Sequence, residues 1–362
     1  MLLKLKVFLL EHRYMFTELK KKHKKELQKM ISNNKNNPLV IYNKKNWINK
    51  LNKLTYSDPK MFELALAFSS DDIRLVKSID VHPTDVLAIC VVKNDLIKLK
   101  RFINHHRLLG IDKFVILDNN SSDGTISYLL KQNDVVILET KTPYSSFRRL
   151  GWINRIISYY GYNRWYFVGD SDELLVYNDC ENKTIKDLID HCESSNEIRM
   201  PAIMLDMYAN KEYYKNGSFD KYYDECVFFD SDTYFIKNHS FCKIITGGPR
   251  DRIFDVKATL TKYPLFYFRK KDIFRSHFLV PCYKNFDTKY SLALKHYKFL
   301  PGEFTKYKKI AKDGNYFNGS IEYKKYISVL KNKNIDFMCK CSRKYIDSSS
   351  LDEIPLYSRI KW

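Results

Sequence analysis

The chain has 362 residues, 44% hydrophobic and 15% aromatic, which excludes a disordered protein and leaves room for one large domain with extensions, or two domains. Its 62 Lys and Arg outnumber 42 Asp and Glu, a formal charge of +20. Nucleic acid, an anionic membrane surface, phosphate-bearing small substrates and plain codon bias all fit that charge, so by itself it selects no partner.

Residues 1–30 carry nine Lys or Arg against three Glu, with Leu2, Leu3, Val7, Leu10 and Tyr14 at helical spacing. This predicts a basic amphipathic helix that either rests on an anionic membrane or packs, solvated, on the main domain. Met1 to Leu10 is broken by Lys4 and Lys6 and lacks a cleavage-like end, so it does not read as a signal peptide. No apolar run approaches the roughly 20 residues of a bilayer span. The Asn- and Lys-rich stretch 31–60, with Pro38 and Pro59, predicts a linker or irregular cap, followed by a short helix from Met61 to Phe68.

Around Asp85 the pattern changes. Val86 to Val92 is a continuous apolar run, as a strand buried on both faces requires. A helix follows from Leu96 to Leu109, ended by Gly110. Phe114 to Leu117 is the next strand, and Ser122 or Asp123 can cap a helix over Thr125 to Lys131. Val135 to Leu138, a helix from Ser146 to Tyr160 and a strand from Trp165 to Val168 complete the series. Such alternation predicts a parallel sheet with right-handed crossovers, whose ligand lies beyond the carboxyl ends of the strands. From Glu197 the alternation is lost, and Ile198 to Tyr208 and Tyr234 to Ile245 predict strands of a mixed half-sheet. Gly247 to Arg252 reads as a turn, and helices are expected near Phe304 to Ala311 and Ser320 to Leu330.

Tyr166 to Val168 is an apolar run that stops at Gly169-Asp170-Ser171-Asp172-Glu173. Carboxylates delivered by a strand end into a tight turn supply hard oxygen ligands for Mg²⁺ or Mn²⁺. A bound cation of that kind can take up the charge on a departing diphosphate. The eight cysteines form no C-x-x-C pair, so zinc spacing is absent and a reducing compartment is expected; Cys339-x-Cys341 alone is a weak signal. No Ser-His-Asp or Cys-His arrangement for a covalent nucleophile stands out.

Taken in order, Ile89 to Asn94, His106 to Asp112, Asp118 to Thr125, Asp170 to Glu173, Leu205 to Tyr208, Thr246 to Arg250, Ser276 to Phe278 and His296 to Phe299 resemble one family. It is the family 2-like inverting nucleotide-sugar glycosyltransferases with a GT-A fold, in the bacterial exopolysaccharide and lipopolysaccharide branch. The resemblance covers roughly Asp85 to Tyr326. It implies an α/β GT-A domain over 85–300, a Rossmann-like nucleotide half plus a mixed acceptor half-sheet. A basic helical extension would precede it over 1–84, and a basic, Tyr-rich helical segment would follow over 301–362. It further implies a divalent metal, Mn²⁺ or Mg²⁺, a nucleotide-sugar donor, commonly a UDP-sugar, and a glycan or lipid-linked glycan acceptor. A cytoplasmic location, with or without peripheral contact at the membrane, goes with that reading.

The family carries a nucleobase-binding Asp where Asp118 stands; an Asx-turn is the plainer role. Val92, Lys93 and Asn94 would line the same pocket. Asp170 and Asp172 match the metal motif, Asp172 as direct ligand and Asp170 toward the ribose or through water, while Glu173 secures the turn. A late His completes such a site, His296 first and His277 second. Inversion needs one base for the acceptor hydroxyl. Asp206, at the end of Ile203-Met204-Leu205, is nominated; Asp251 is the rival, a poorer base because Arg250 and Arg252 would depress its pKa. Arg250 and Arg252 suit a diphosphate or an anionic acceptor, or else pair with Asp251 or Asp255. Lys298 is a further diphosphate candidate. Competing readings are a basic nucleic-acid-binding protein, for which no binding motif is found, and a nucleotidyltransferase, whose glycine-rich loop after the first strand is missing.

Overall fold

The computed structural model describes residues 73–362, apart from 239–241, 271, 281, 287, 315 and 331–334. The helices and linker expected over residues 1–68 lie outside the described residues.

Nine strands form one sheet: β1 (Arg74–Lys77), β2 (Leu87–Val92), β3 (Lys113–Asp118), β4 (Val135–Glu139), β5 (Arg164–Val168), β6 (Glu173–Val176), β7 (Arg199–Asp206), β8 (Thr261–Phe268) and β9 (Leu292–His296). Their spatial order is β1-β4-β3-β2-β5-β8-β7-β9-β6. β4, β3, β2 and β5 are parallel, joined by α1 (Leu96–Leu108), α2 (Thr125–Leu130) and α3 (Ser146–Tyr160). Here the alternation of sequence became a parallel half-sheet as expected. β8 is antiparallel to both β5 and β7, and β9 runs parallel to β7 but antiparallel to β6. A Rossmann-like half continuous with a mixed half is the GT-A arrangement.

The two faces of β2 explain its unbroken apolar run. Ala88, Cys90 and Val92 pack with Leu99, Phe102 and Ile103 of α1, while Leu87 and Ile89 pack with Trp152, Ile153 and Ile156 of α3. Each large side chain buried there is worth about 1.5–3 kcal/mol. Ser145 caps α3 by accepting from Arg148 N. Asp123 ties the starts of α1 and α2 together: its Oδ2 accepts from Leu96 N at 3.0 Å, and its Oδ1 accepts from Thr125 N at 3.2 Å and Thr125 Oγ1 at 2.6 Å.

Four expectations change. Tyr234–Asn238 and Lys243–Gly247 pair only with each other, in a separate hairpin outside the main sheet. Gly248–Phe254 is a helix rather than a turn, because Gly247 at φ +115° turns the chain and Pro249 sits in the first helical turn. The described end of the amino-terminal extension is not helical: β1 adds to the sheet edge, antiparallel to β4. We call helix Ile185–Ser194 α4 and helix Gly248–Phe254 α5; α6 (Glu303–Asp313) and α7 (Phe317–Leu330) fall where helices were expected. Their aromatics, with Tyr208, Phe254, Phe299 and Phe337, form a third core. Beyond them the tail is not helical alone: Ser342–Lys344 pairs with Phe228–Asp230, and Trp362 Nε1 donates to Asn178 O. No helix among the described residues is long and apolar enough to cross a membrane.

Candidate metal and nucleotide site

The acidic motif is a turn between β5 and β6. Glu173 N donates to Asp170 O, and Asp170 N donates to Glu173 Oε2, both at 3.0 Å. Ser171 donates to Asp95 Oδ2 at the start of α1, at 2.5 Å. The turn is therefore fixed from within and from the first crossover helix.

Register then aligns three more groups. His296 on β9 stands opposite Glu173 on β6 and opposite Asp206 on β7, and residues opposite one another share a face of the sheet. Asp206 accepts from His296 Nδ1 at 2.6 Å and from Arg250 Nε at 2.7 Å. His296 Nε2 is left facing Asp172 Oδ2, 3.7 Å away. Asp172, Glu173 and His296 can each bring one ligand atom within 4.8 Å of the others. A carboxylate on the far nitrogen, as Asp206 is here, sets the tautomer and ring orientation of metal-binding histidines. Two hard oxygen donors and an imidazole nitrogen suit Mn²⁺ or Mg²⁺ less strictly than a carboxylate-only site, and the set fits a divalent cation.

Asp170 and, within the cluster, Glu173 are already committed to cations. Arg149 donates to Asp170 Oδ1 at 2.5 Å, and Lys262 reaches Asp170 Oδ2 at 3.1 Å and both Glu173 oxygens at 2.6 Å. Burial by itself would raise Asp170 and Asp206. Arg149 and Lys262 beside the first, and Arg250 with the His296 bond beside the second, hold both well below the usual carboxylate range. Asp172 is lowered too, burial being outweighed by His296 and Lys98. Glu173 moves the other way: burial raises it, and Lys262 offsets this only in part.

These facts revise several roles. Asp206 is 1% exposed with both oxygens bonded, so it presents no free oxygen to an acceptor hydroxyl; it positions His296. Asp170 is turned to Arg149 and Lys262 and stands outside the ligand cluster. Glu173 secures the turn and also joins the cluster, which its position beyond Asp172 did not reveal. His277 is not in that cluster; its Nδ1 bonds Thr261 O at 2.8 Å, and burial beside Lys262 pulls its pKa down to about 4. Arg250 pairs with Asp206 and Arg252 with buried Asp230, so neither pairs with Asp251 or with Asp255, which takes Lys325. Arg252 is thereby committed away from a diphosphate. Lys298 Nζ bonds the Tyr323 hydroxyl at 3.1 Å and lies over the Tyr326 ring. Asp251 is half-buried on α5.

At the neighbouring strand ends, Asp118 is fully buried. Its Oδ2 accepts from Ser121 N at 2.8 Å, the Asx-turn expected of it, but Oδ1 has no partner among the described residues. Burial raises its pKa. An unpaired buried carboxylate oxygen is costly unless something supplies a donor. Asn94, at φ +49°, takes Ser122 N at 2.7 Å on its side chain and gives its own N–H to Ser121, tying the two loops together instead of lining a pocket. Val92 O accepts from Asn119 N at 2.7 Å, and Lys93 is exposed beside it.

Sequence reasoning missed Arg149, Lys262, Lys98 and the tyrosines. Two signals existed: a lysine inside the apolar run of β8, and an arginine in the first turn of α3, where the helix dipole disfavours it. Lys98 is 1% exposed and pairs with Glu303 of α6 at 3.4 Å. Tyr144 packs on Tyr316, between α6 and α7, with ring centroids 5.0 Å apart, and Tyr316 packs on Tyr323 at 5.2 Å. The tyrosine-rich segment thus packs on the parallel half of the sheet through Tyr144.

No family model and no curated protein matches the sequence. Among solved structures, the chain is similar to a mannosyltransferase from Pyrobaculum calidifontis in complex with GDP-Man and Mn²⁺, at 15% identity and a TM-score of 0.25, over 39% of this chain and 41% of that one. It is also similar to HddC from Yersinia pseudotuberculosis, at 13% identity and a TM-score of 0.28, over 51% of this chain and 77% of that one. The chain therefore spans less than half of the mannosyltransferase. At these scores neither likeness bears on the chemistry of the site.

Proposed function

We propose that the protein is a metal-dependent, inverting glycosyltransferase that moves a sugar from a nucleotide donor, a UDP-sugar by the resemblance, to a glycan or lipid-linked glycan. One observation carries the reading. Asp172 and His296, with the Lys262-bound Glu173 beside them, and the unpaired Asp118 oxygen lie along the same carboxyl edge of the sheet. β3, which ends in Asp118, and β5, which leads into the acidic turn, flank β2, so a nucleoside diphosphate lying along this edge would run from one toward the other. Asp118 Oδ1 would accept a base N–H, and Asp172 with His296 Nε2 would hold the cation near the diphosphate.

The bound cation would offset charge on the departing diphosphate. Asp206 holds the His296 ring, and Arg250 holds Asp206. Arg149 and Lys262 neutralise Asp170 and Glu173, which leaves Asp172 as the carboxylate open to the cation. Asp251 takes over the role of base from Asp206. We assign the catalytic domain to 85–300 and let 301–362 complete its site through Tyr316 and Tyr323. Peripheral membrane contact through residues 1–30 stays part of the proposal.

The test is a thermal-shift screen against nucleoside diphosphates and nucleotide sugars, with and without Mn²⁺. Native-state ligands must raise the melting temperature. A metal-dependent shift with one nucleotide supports the reading and names the base. No shift, with tight binding of single-stranded nucleic acid, would favour the nucleic-acid reading. Release of pyrophosphate in place of a nucleoside diphosphate during turnover would identify a nucleotidyltransferase.

A further inference from the structure

All eight cysteines are free, and Cys90, Cys192, Cys226, Cys242 and Cys282 are buried. Cys180 places its thiol beside the neighbouring Glu181 carboxylate. What sets Cys339 and Cys341 apart is that their sulfurs lie 3.1 Å from each other; both, like Cys180, are half-buried. That is inside the roughly 3.5–4.0 Å of ordinary heavy-atom packing. It is about 1 Å from a disulfide bond of roughly 2.05 Å. Two sulfurs sharing a tetrahedral zinc, each about 2.3 Å from it, would stand roughly 3.8 Å apart. The pair is too close for a shared zinc, and the described residues that could gather a metal are those of the other site.

The backbone keeps the sulfurs together. Ser231 N and Oγ donate to Cys341 O at 2.9 and 3.0 Å. Ser342 N donates to Cys339 O at 3.1 Å, and Cys339 N donates to Ser342 Oγ at 2.8 Å. Two thiols so held react as an intramolecular pair at high effective concentration.

We propose that Cys339 and Cys341 are a redox modification site, a dithiol that a low-molecular-weight disulfide converts to an intrachain disulfide. One cysteine thiolate attacks a sulfur of the small disulfide, forming a mixed disulfide and releasing one small thiol. The second cysteine attacks the protein sulfur of that mixed bond and releases the other. The cysteine sulfurs give up two electrons and two protons, which the two small thiols carry away. Burial and the neighbouring Cys339 push the Cys341 thiol up to about 11, so the reaction speeds up with rising pH. Bond closure takes the Cys339 S–H, 3.7 Å from Asp230 Oδ1, off that carboxylate. Asp230 keeps Tyr208 at 2.6 Å and Arg252 at 2.9 and 3.1 Å, so the fold survives oxidation. This site stands apart from the glycosyltransferase reading.

The test is to incubate the full chain with oxidised glutathione, alkylate it with iodoacetamide after unfolding, and map peptides by mass. The peptide holding both cysteines should be two hydrogens lighter and unalkylated, dithiothreitol should restore alkylation, and the other six cysteines should alkylate throughout. Cys341→Ser should instead retain glutathione on Cys339. Alkylation of both sulfurs in the wild type, glutathione stably held by either, or a bond to another cysteine would each overturn the proposal. The wild-type map decides alone if the variant does not fold.

Discussion

Arg250, Asp206 and His296 are a chain in which each residue is held by the next, and all three are buried. Breaking a buried pair leaves one charge without a partner. Arg250→Ala should therefore cost about 3–5 kcal/mol of stability, read by urea denaturation; a change within noise would show that Asp206 is not buried with its charge. Asp206→Asn should keep the fold and weaken Mn²⁺ binding about 10–100-fold, as loss of an outer-shell carboxylate does elsewhere. Calorimetry with Mn²⁺ alone checks this, and unchanged affinity would remove Asp206 from its positioning role. Asp172→Ala should abolish the metal-dependent part of nucleotide binding with the melting temperature of the free protein little changed. Retained Mn²⁺ dependence would dismiss Asp172 as a ligand.

Among the elements, α5 matters most to the site because it carries Arg250. Its entry depends on Gly247: at φ +115°, an added Cβ would meet Thr233 O at 1.9 Å, and that atom is backbone. Gly247→Ala should lose at least about 1–3 kcal/mol from the strained conformation alone, with the clash in addition. A wild-type denaturation midpoint in the alanine variant would refute the account. Nothing in Gly247-Gly248-Pro249-Arg250 distinguishes a turn from the start of a helix. Seven residues are too few to show a 3.6-residue period, and the helix is made by its packing. The strands of the parallel half were legible because burial on both faces leaves an unbroken apolar run. The hairpin over 234–247 was read as part of the main sheet because its partner is a matter of tertiary contact.

For the whole molecule, three buried histidines of lowered pKa, His105, His106 and His277, set the acid response. His106 donates from Nδ1 to Phe102 O at 2.8 Å and accepts at Nε2 from Leu175 N at 3.3 Å, a pair of bonds only the neutral ring can make. Burial lowers its pKa well below the ordinary value, and burial with Lys295 nearby lowers His105 to about 4. A free imidazole titrates near 6.5. Between that value and about 4 the unfolded chain binds more protons than the folded one, so stability falls as pH falls through this window. Above it the histidine contribution is constant. The depressed carboxylates Asp170 and Asp206 act only below about pH 4, the unfolded Asp value. Urea midpoints should thus drop from pH 7 to pH 5, and a flat or rising profile would contradict buried neutral histidines.

By itself the sequence determined the alternation that builds the parallel half, the strand end that carries Asp170 and Asp172, and the position of Asp118, because these follow from local period and from where apolar runs stop. The nomination of His296 was also available there. Which groups become partners was decided by the tertiary structure alone. Strand register set Glu173, His296 and Asp206 side by side, and the antiparallel insertion of β8 carried Lys262 onto Glu173 and Asp170. The same packing turned Asp206 from a plausible base into an ionised, fully bonded support. Ion pairing depends on distances of a few ångströms between residues dozens of positions apart, and spacing along the chain does not encode them.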